Sequence, residues 1–288
     1  MSDDSRSWFD HPILSNRTFL LEAFVLSNIG FLIADIYVAH SLNEFAHWGE
    51  YVPLVYTAAG TVALAVSVGM QWGRSSGFPR ASWWTGEVVG WMGVAVGVIG
   101  FGWHLEAWFF EATTLKSLVY SAPFIAPLAF AGLGLLLIMN RRLDGASVEW
   151  AQWVVFMAWG GWVGNFALSL ADHAQNAFFY ATEWIPVIVA AFAVGSLAML
   201  LLQRPNDRDI HFAYIVLGAN AGVGVLGFFL HIAPIWTEPS GATLWDQIVF
   251  GAPVFAPLLF VDLAVLSFLG VWSLHEAVRA PGPVEELA

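Results

Sequence analysis

The sequence contains no cysteine. Disulfides, iron–sulfur clusters, thiolate-ligated haem and cysteine-based blue copper are thereby excluded. Basic residues are also scarce. Lys and Arg number 10 against 22 Asp and Glu, for a formal net charge of −12. With no basic patch and no recognition motif, nucleic acid is not a partner. Charge of either sign amounts to 11% of residues, against about 25% in an ordinary soluble domain. Apolar residues fill the difference: 58% of the 288 residues are hydrophobic, and the mean hydropathy is +0.68. This composition belongs to an integral membrane protein, with the lipid bilayer as its first partner.

A helix needs about 20 apolar residues to cross a bilayer. Hydropathy predicts an all-α integral membrane protein of about eight transmembrane helices. They cover Thr18–Ala39, Val52–Trp72, Trp84–Trp103, Leu118–Met139, Trp150–Ala171, Trp184–Gln203, Phe212–Leu230 and Ile248–Leu274. The first run is long enough to span and has no small-residue cleavage site after it, so it reads as an uncleaved signal-anchor. Eight spans sort the loops into two sets. One set carries Arg6, Arg17, Arg74, Arg80, Arg141, Arg142, Arg204, Arg208 and Arg279; the other carries only Lys116. Arginine-rich loops stay in the cytoplasm. Both termini are therefore expected on the cytoplasmic side of a multi-pass protein in a bacterial or archaeal cytoplasmic membrane.

The chain repeats itself. Gly97-Val98-Ile99-Gly100-Phe101 precedes His104 and Glu111; Gly224-Val225-Leu226-Gly227-Phe228 precedes His231 and Glu238 at the same spacing. Ser121-Ala122-Pro123-Phe124-Ile125-Ala126-Pro127-Leu128 then matches Gly251-Ala252-Pro253-Val254-Phe255-Ala256-Pro257-Leu258. A second pair agrees less fully: His40-x2-Asn43-x6-Glu50 and His173-x2-Asn176-x6-Glu183. Residues 1–143 and 144–288 thus read as two four-helix halves of one membrane domain. An even number of spans per half makes the repeat parallel, about an axis along the membrane normal.

Each half places two histidines at outer helix ends, His40 and His104, then His173 and His231. Each also places two glutamates in outer loops, Glu50 and Glu111, then Glu183 and Glu238. Imidazole with carboxylate suits Fe, Mn or Zn, and imidazole also suits Cu. These eight residues are the candidate metal ligands. The Glu-x-x-His spacing of ferritin-like di-iron bundles is not met. No methionine lies at the outer face, which disfavours a Met-rich Cu(I) site. Glutamate at a helix start has a plain structural role, because it favours the positive end of the helix dipole. Haem b is the alternative cofactor: four histidines at similar depth allow bis-His ligation. The glycines of the third span (Gly90, Gly93, Gly97, Gly100) and the seventh (Gly218, Gly222, Gly224, Gly227) would admit a flat macrocycle, or simply let helices approach closely. Asp262, inside the eighth span, is an isolated intramembrane carboxylate, expected to serve proton transfer or to pair with Asn220 or another polar neighbour.

The function expected from this pattern is a membrane metalloprotein with a His/Glu site at the periplasmic face, performing redox or oxygen-dependent chemistry. A membrane or periplasmic redox partner goes with it. A haem-carrying subunit of an electron-transfer complex and a transporter or channel are the alternatives. The transporter reading is the weaker of these, because the inner halves of most spans are plainly apolar and only Asp262, Asn220, Asn28 and Asn165 offer polar steps.

Overall fold

In a bilayer core each unpaired backbone polar group costs several kcal/mol, so a chain this apolar must pair its amides within itself. It does so through helices. The structure, a computed structural model, describes residues 16–74, 77–120, 122–203, 205–237 and 243–279, and every regular element among them is helical. The elements are α1 (Arg17–Ser41), α2 (Tyr51–Gln71), α3 (Arg80–Glu106), α4 (Phe109–Ala112), α5 (Leu115–Tyr120), α6 (Leu128–Arg142), α7 (Val148–Gln175), α8 (Trp184–Leu202), α9 (Asp207–Thr237), α10 (Leu244–Phe250) and α11 (Leu258–Arg279). Short 3-10 turns, Trp48–Glu50 and Ala181–Glu183, lead into α2 and α8. Among the described residues, seven helices are long and apolar enough to cross a membrane. The chain is a multi-pass membrane protein.

The expected fourth and eighth spans start later than hydropathy placed them. Residues 115–120 and 244–250 form separate short helices, and the long helices begin at Leu128 and Leu258. Pro123 with Pro127, and Pro253 with Pro257, cause the break. Proline lacks the N–H a helix needs and pushes the preceding residue toward extended backbone. α6 keeps only 15 residues, a rise of about 22 Å against a hydrocarbon core of about 30 Å.

Side-chain caps fix several starts. Asn16 Oδ1 accepts from Phe19 N at 3.1 Å to begin α1, and Ser147 Oγ accepts from Trp150 N at 3.1 Å to begin α7. Thr243 and Asp246 form a reciprocal capping box on α10. Such caps satisfy amides that the first helical turn leaves unpaired.

α6 returns the chain antiparallel along α3, and glycine makes the approach close. A Cβ on Gly97 would meet Ala131 N at 2.6 Å, and one on Gly90 would meet Gly134 O at 2.8 Å. The groove that could have admitted a macrocycle on α3 is therefore filled by α6. On α9, Gly224 and Gly227 likewise pack on Pro257, whereas Gly218 and Gly222 have no neighbour within 4 Å of a would-be Cβ.

At the far end of α6 lies a polar group that loop counting hid. Arg141 and Arg142 read as loop arginines, but both belong to the last turn of α6. Arg141 is buried. Its Nη2 donates to Glu22 Oε1 at 2.6 Å, its Nε to Trp83 O at 3.0 Å and its Nη1 to Leu137 O at 3.0 Å. Ser67 Oγ also donates to Glu22 Oε1 at 3.0 Å, and Ser82 Oγ and Gln71 Nε2 extend the network. One buried cation thus ties α6 to α1, α2 and α3.

The same neighbour relations recur later in the chain. α1 packs on α2, α2 on α3, α3 on α6 and α6 on α1; α7 packs on α8, α8 on α9, α9 on α11 and α11 on α7. The two sets meet where α1 touches α11 and α6 touches α7. In that seam Asn28 Nδ2 donates to Asp262 Oδ1 at 2.8 Å. Asn28, rather than Asn220, is therefore the polar neighbour of Asp262; Asn220 donates instead to the carbonyls of Val189 and Val216.

Candidate functional site at the histidine ends of the helices

His40, His104, His173 and His231 all sit near the C-terminal ends of their long helices, α1, α3, α7 and α9. Contacts place these ends on one side of the molecule. Gln175 Nε2, just after His173, donates to Val119 O of α5 at 2.8 Å, and the ring of Tyr37 of α1 lies tilted against Trp245 of α10 with centroids 5.8 Å apart. The Glu22–Arg141 network lies at the opposite end.

The His-x2-Asn-x6-Glu motif is a folded unit. After His40 the chain makes a tight reversal in which Phe45 N donates to His40 O at 3.2 Å; after His173, Phe178 N donates to His173 O at 3.0 Å. Both reversals need two successive residues at positive φ, Glu44 (59°) with Phe45 (53°) and Ala177 (59°) with Phe178 (52°). None of the four is glycine, and each such residue costs of order 1 kcal/mol or more. The reversal carries the ring of Phe45 onto His40, with centroids 5.9 Å apart, and the ring of Phe178 to 6.2 Å from His173.

It also brings the glutamate back to the histidine. Glu50 Oε2 lies 3.3 Å from His40 Nδ1, and Glu183 Oε2 lies 3.9 Å from His173 Nδ1. The motif asparagine holds the other carboxylate oxygen. Asn43 Nδ2 donates to Glu50 Oε1 at 3.0 Å, and Asn176 Nδ2 donates to Glu183 Oε1 at 3.2 Å. Oε2 of both glutamates is buried without a hydrogen-bond partner among the described residues. A buried carboxylate oxygen in that state is expensive, so both oxygens are available to a cation or a proton.

The second histidine of each set arrives from the next long helix. The His104 ring lies 6.3 Å from that of His40, within electrostatic reach of both His40 and Glu50. His173 is likewise within electrostatic reach of Glu183 and His231. His104 Nδ1 lies 3.0 Å from Pro123 O, and His231 Nδ1 lies 2.9 Å from Pro253 O. A carbonyl only accepts, so Nδ1 carries the proton in both rings and Nε2 keeps its lone pair. His40 and His173 also face an oxygen with Nδ1, at 3.3 and 3.9 Å, without a hydrogen bond, and no bond among the described residues holds Nε2 in any of the four rings.

The remaining candidates have other surroundings. Glu111 is exposed at the start of the four-residue helix α4 and has no bonding partner among the described residues. Glu238 lies outside the described residues. His47 is a capping residue: its Nδ1 accepts from Gly49 N at 3.1 Å, which places its proton on Nε2. Asp35, on the same helix as His40, is within electrostatic reach of it. Among the described residues no group of three or more His, Asp or Glu side chains is gathered closely enough to hold a metal ion by itself. What the structure provides is two His–Glu pairs, His40 with Glu50 and His173 with Glu183, each with a second histidine within electrostatic reach and each with one buried carboxylate oxygen that has no hydrogen bond among the described residues.

Sequence reasoning found the histidines and Glu50 and Glu183 from the repeat alone. It missed the carbonyls of Pro123 and Pro253, because a backbone oxygen leaves no residue-type signal. It also missed the buried Glu22–Arg141 pair, because an arginine at a helix end looks like a loop charge. Comparison with known protein families, with characterised proteins and with solved structures finds no match for this chain.

Proposed function

We propose that this chain is a membrane metalloprotein of eight spans, with α6 as the short fourth. Residues 1–143 and 144–288 are parallel-repeat halves with both termini cytoplasmic, and each half carries one transition-metal site at the periplasmic face. His40 and His104 are the ligands of the first site, and His173 and His231 of the second, each through Nε2. Glu50 and Glu183 supply the negative charge beside each ion, either directly or through the Nδ1 of the neighbouring histidine. Carboxylate and carbonyl acceptors behind ligand histidines are the usual outer shell of such sites, where they fix the tautomer and raise basicity.

One observation carries this reading. His104 and His231 hold a backbone carbonyl through Nδ1, and His40 and His173 face, through Nδ1, glutamate oxygens that are buried without a hydrogen bond among the described residues. Two protein nitrogens per ion leave coordination positions open, and open positions are what redox or oxygen-dependent chemistry requires of a metal. Imidazole ligands suit Fe, Cu and Zn, and the adjacent carboxylate brings Mn into the same range.

The test is purification in detergent, elemental analysis for Fe, Cu, Mn and Zn, and a visible spectrum. The expected result is up to two metal equivalents per chain without a Soret band. His104→Ala and His231→Ala should each remove one equivalent, and together both. A Soret band lost in these variants would move the assignment to haem. No metal after reconstitution, or metal content unchanged in the double variant, would overturn the metal reading.

A further inference from the structure

Each ligand-set histidine on α3 and α9 depends on a carbonyl four residues ahead of a proline. In a continuous α-helix the N–H of residue 127 would donate to the oxygen of residue 123, and that of residue 257 to the oxygen of residue 253. Pro127 and Pro257 have no N–H. The backbone here runs instead through tighter i to i−3 bonds: Ala126 N to Pro123 O at 3.1 Å and Leu128 N to Ile125 O at 2.9 Å. The second set repeats them, with Ala256 N to Pro253 O at 3.3 Å and Leu258 N to Phe255 O at 3.0 Å. The helical acceptor position on the carbonyls of Pro123 and Pro253 is left open. His104 Nδ1 takes the first at 3.0 Å, and His231 Nδ1 takes the second at 2.9 Å.

We infer that Pro127 and Pro257 are positioning residues that set the tautomer of His104 and His231. By withholding one backbone donor each, they leave a second acceptor position, on a carbonyl that already accepts from Ala126 N or Ala256 N, to imidazole Nδ1–H and so keep the lone pair on Nε2. The two repeated motifs of the sequence, the histidine after the glycine-rich helix and the paired prolines, are on this account one device used twice. The argument rests on the proposed metal sites for its purpose, but not for its geometry, which concerns the metal-free protein.

The two prolines of each pair have different jobs, and this makes the inference testable. Pro123 contributes its carbonyl, which any residue supplies. Pro127 contributes a missing N–H, which only proline supplies. Gly100 packs against the Pro127 ring, and alanine retains the Cβ of that contact.

The experiment is 15N NMR of histidine-labelled, metal-free protein in detergent, reading the Nδ1 and Nε2 shifts that report tautomer. Wild-type His104 and His231 should both show the Nδ1–H form. Pro127→Ala restores an N–H that a regular α-helical turn directs at the Pro123 carbonyl; with the helix extended to that turn, His104 should lose the Nδ1–H form while His231 retains it. The His231 signal doubles as the control that the variant is folded. Pro123→Ala should leave both histidines as in wild type. A His104 tautomer unchanged in Pro127→Ala, or changed equally in Pro123→Ala, would overturn the inference. Metal titration is read separately: where the sites bind metal, Pro127→Ala should weaken the first by about tenfold or more, as loss of an outer-shell partner does. A tautomer change in protein that binds no metal supports the positioning role and counts against the metal reading alone.

Discussion

Glu22 and Arg141 form an ion pair at 2.6 Å in which neither side chain has any exposed surface. Removing one partner of such a pair leaves an uncompensated buried charge, at a cost of about 3–5 kcal/mol. Arg141→Leu and Glu22→Leu should each lower the thermal midpoint of detergent-solubilised protein sharply. The double variant should recover much of the loss, because no lone charge remains. If the double variant is as unstable as the sum of the singles, the pair is not coupled as described.

The two proposed metal sites should differ in strength. Glu50 Oε1 is held by Asn43 Nδ2 at 3.0 Å and by His47 N at 3.2 Å, whereas Glu183 Oε1 is held by Asn176 Nδ2 at 3.2 Å. The His–Glu separation is correspondingly 3.3 Å in the first and 3.9 Å in the second. A pre-ordered carboxylate loses less freedom when the ion arrives, so the first site should bind more tightly, by about tenfold on the scale of outer-shell effects. His231→Ala, which leaves only the first site, should retain metal at chelator concentrations that strip His104→Ala. Equal retention in the two variants would count against this ranking.

Gly97 on α3 and Gly222 on α9 should respond differently to alanine. At Gly97 a Cβ would meet backbone atoms of Ala131 and Pro127 at 2.6 and 2.9 Å; at Gly222 it would meet nothing within 4 Å. Gly97→Ala should destabilise by about 1–3 kcal/mol, the range for overpacking. Gly222→Ala should stay within about 0.5 kcal/mol of wild type. Thermal midpoints of the two variants, measured in one detergent, decide the matter; similar losses in both would contradict the packing described.

The seam between the two helix sets carries its own polar bond. Asn28 Nδ2 is the only hydrogen-bond partner of Asp262 among the described residues. A double-mutant cycle of Asn28→Ala and Asp262→Ala should give a coupling of about 1 kcal/mol, typical of interhelical hydrogen bonds in membranes. A coupling of zero would show that the two residues act independently.

How much of this was readable beforehand depended on the kind of signal each feature leaves. Long apolar runs announce membrane helices because lipid permits few other backbones. Seven such runs gave long helices; the two that crossed a proline pair, starting at Leu118 and Ile248, were read as beginning ten residues early because apolar side chains continue through the break. The histidines and Glu50 and Glu183 were legible because they repeat at fixed spacing. Glu111 repeats equally well, yet it stands exposed on α4 with no side-chain bond among the described residues. Repetition identifies copied residues and does not say which of them meet.

The sequence by itself determined the environment, the helical class and the residue types at the histidine ends, because these follow from composition, run length and periodicity along the chain. Only the tertiary structure decided what those residues touch. The Asn43 amide on Glu50, the Pro123 carbonyl on His104 and the guanidinium of Arg141 on Glu22 each join groups that local pattern does not connect. Two of the three join different long helices or the breaks before them, and the third needs a reversal through left-handed, non-glycine backbone. The physical reason is common to all three. A hydrogen bond is set by where helices stop and cross, and in this protein prolines, glycines and one buried arginine set those points.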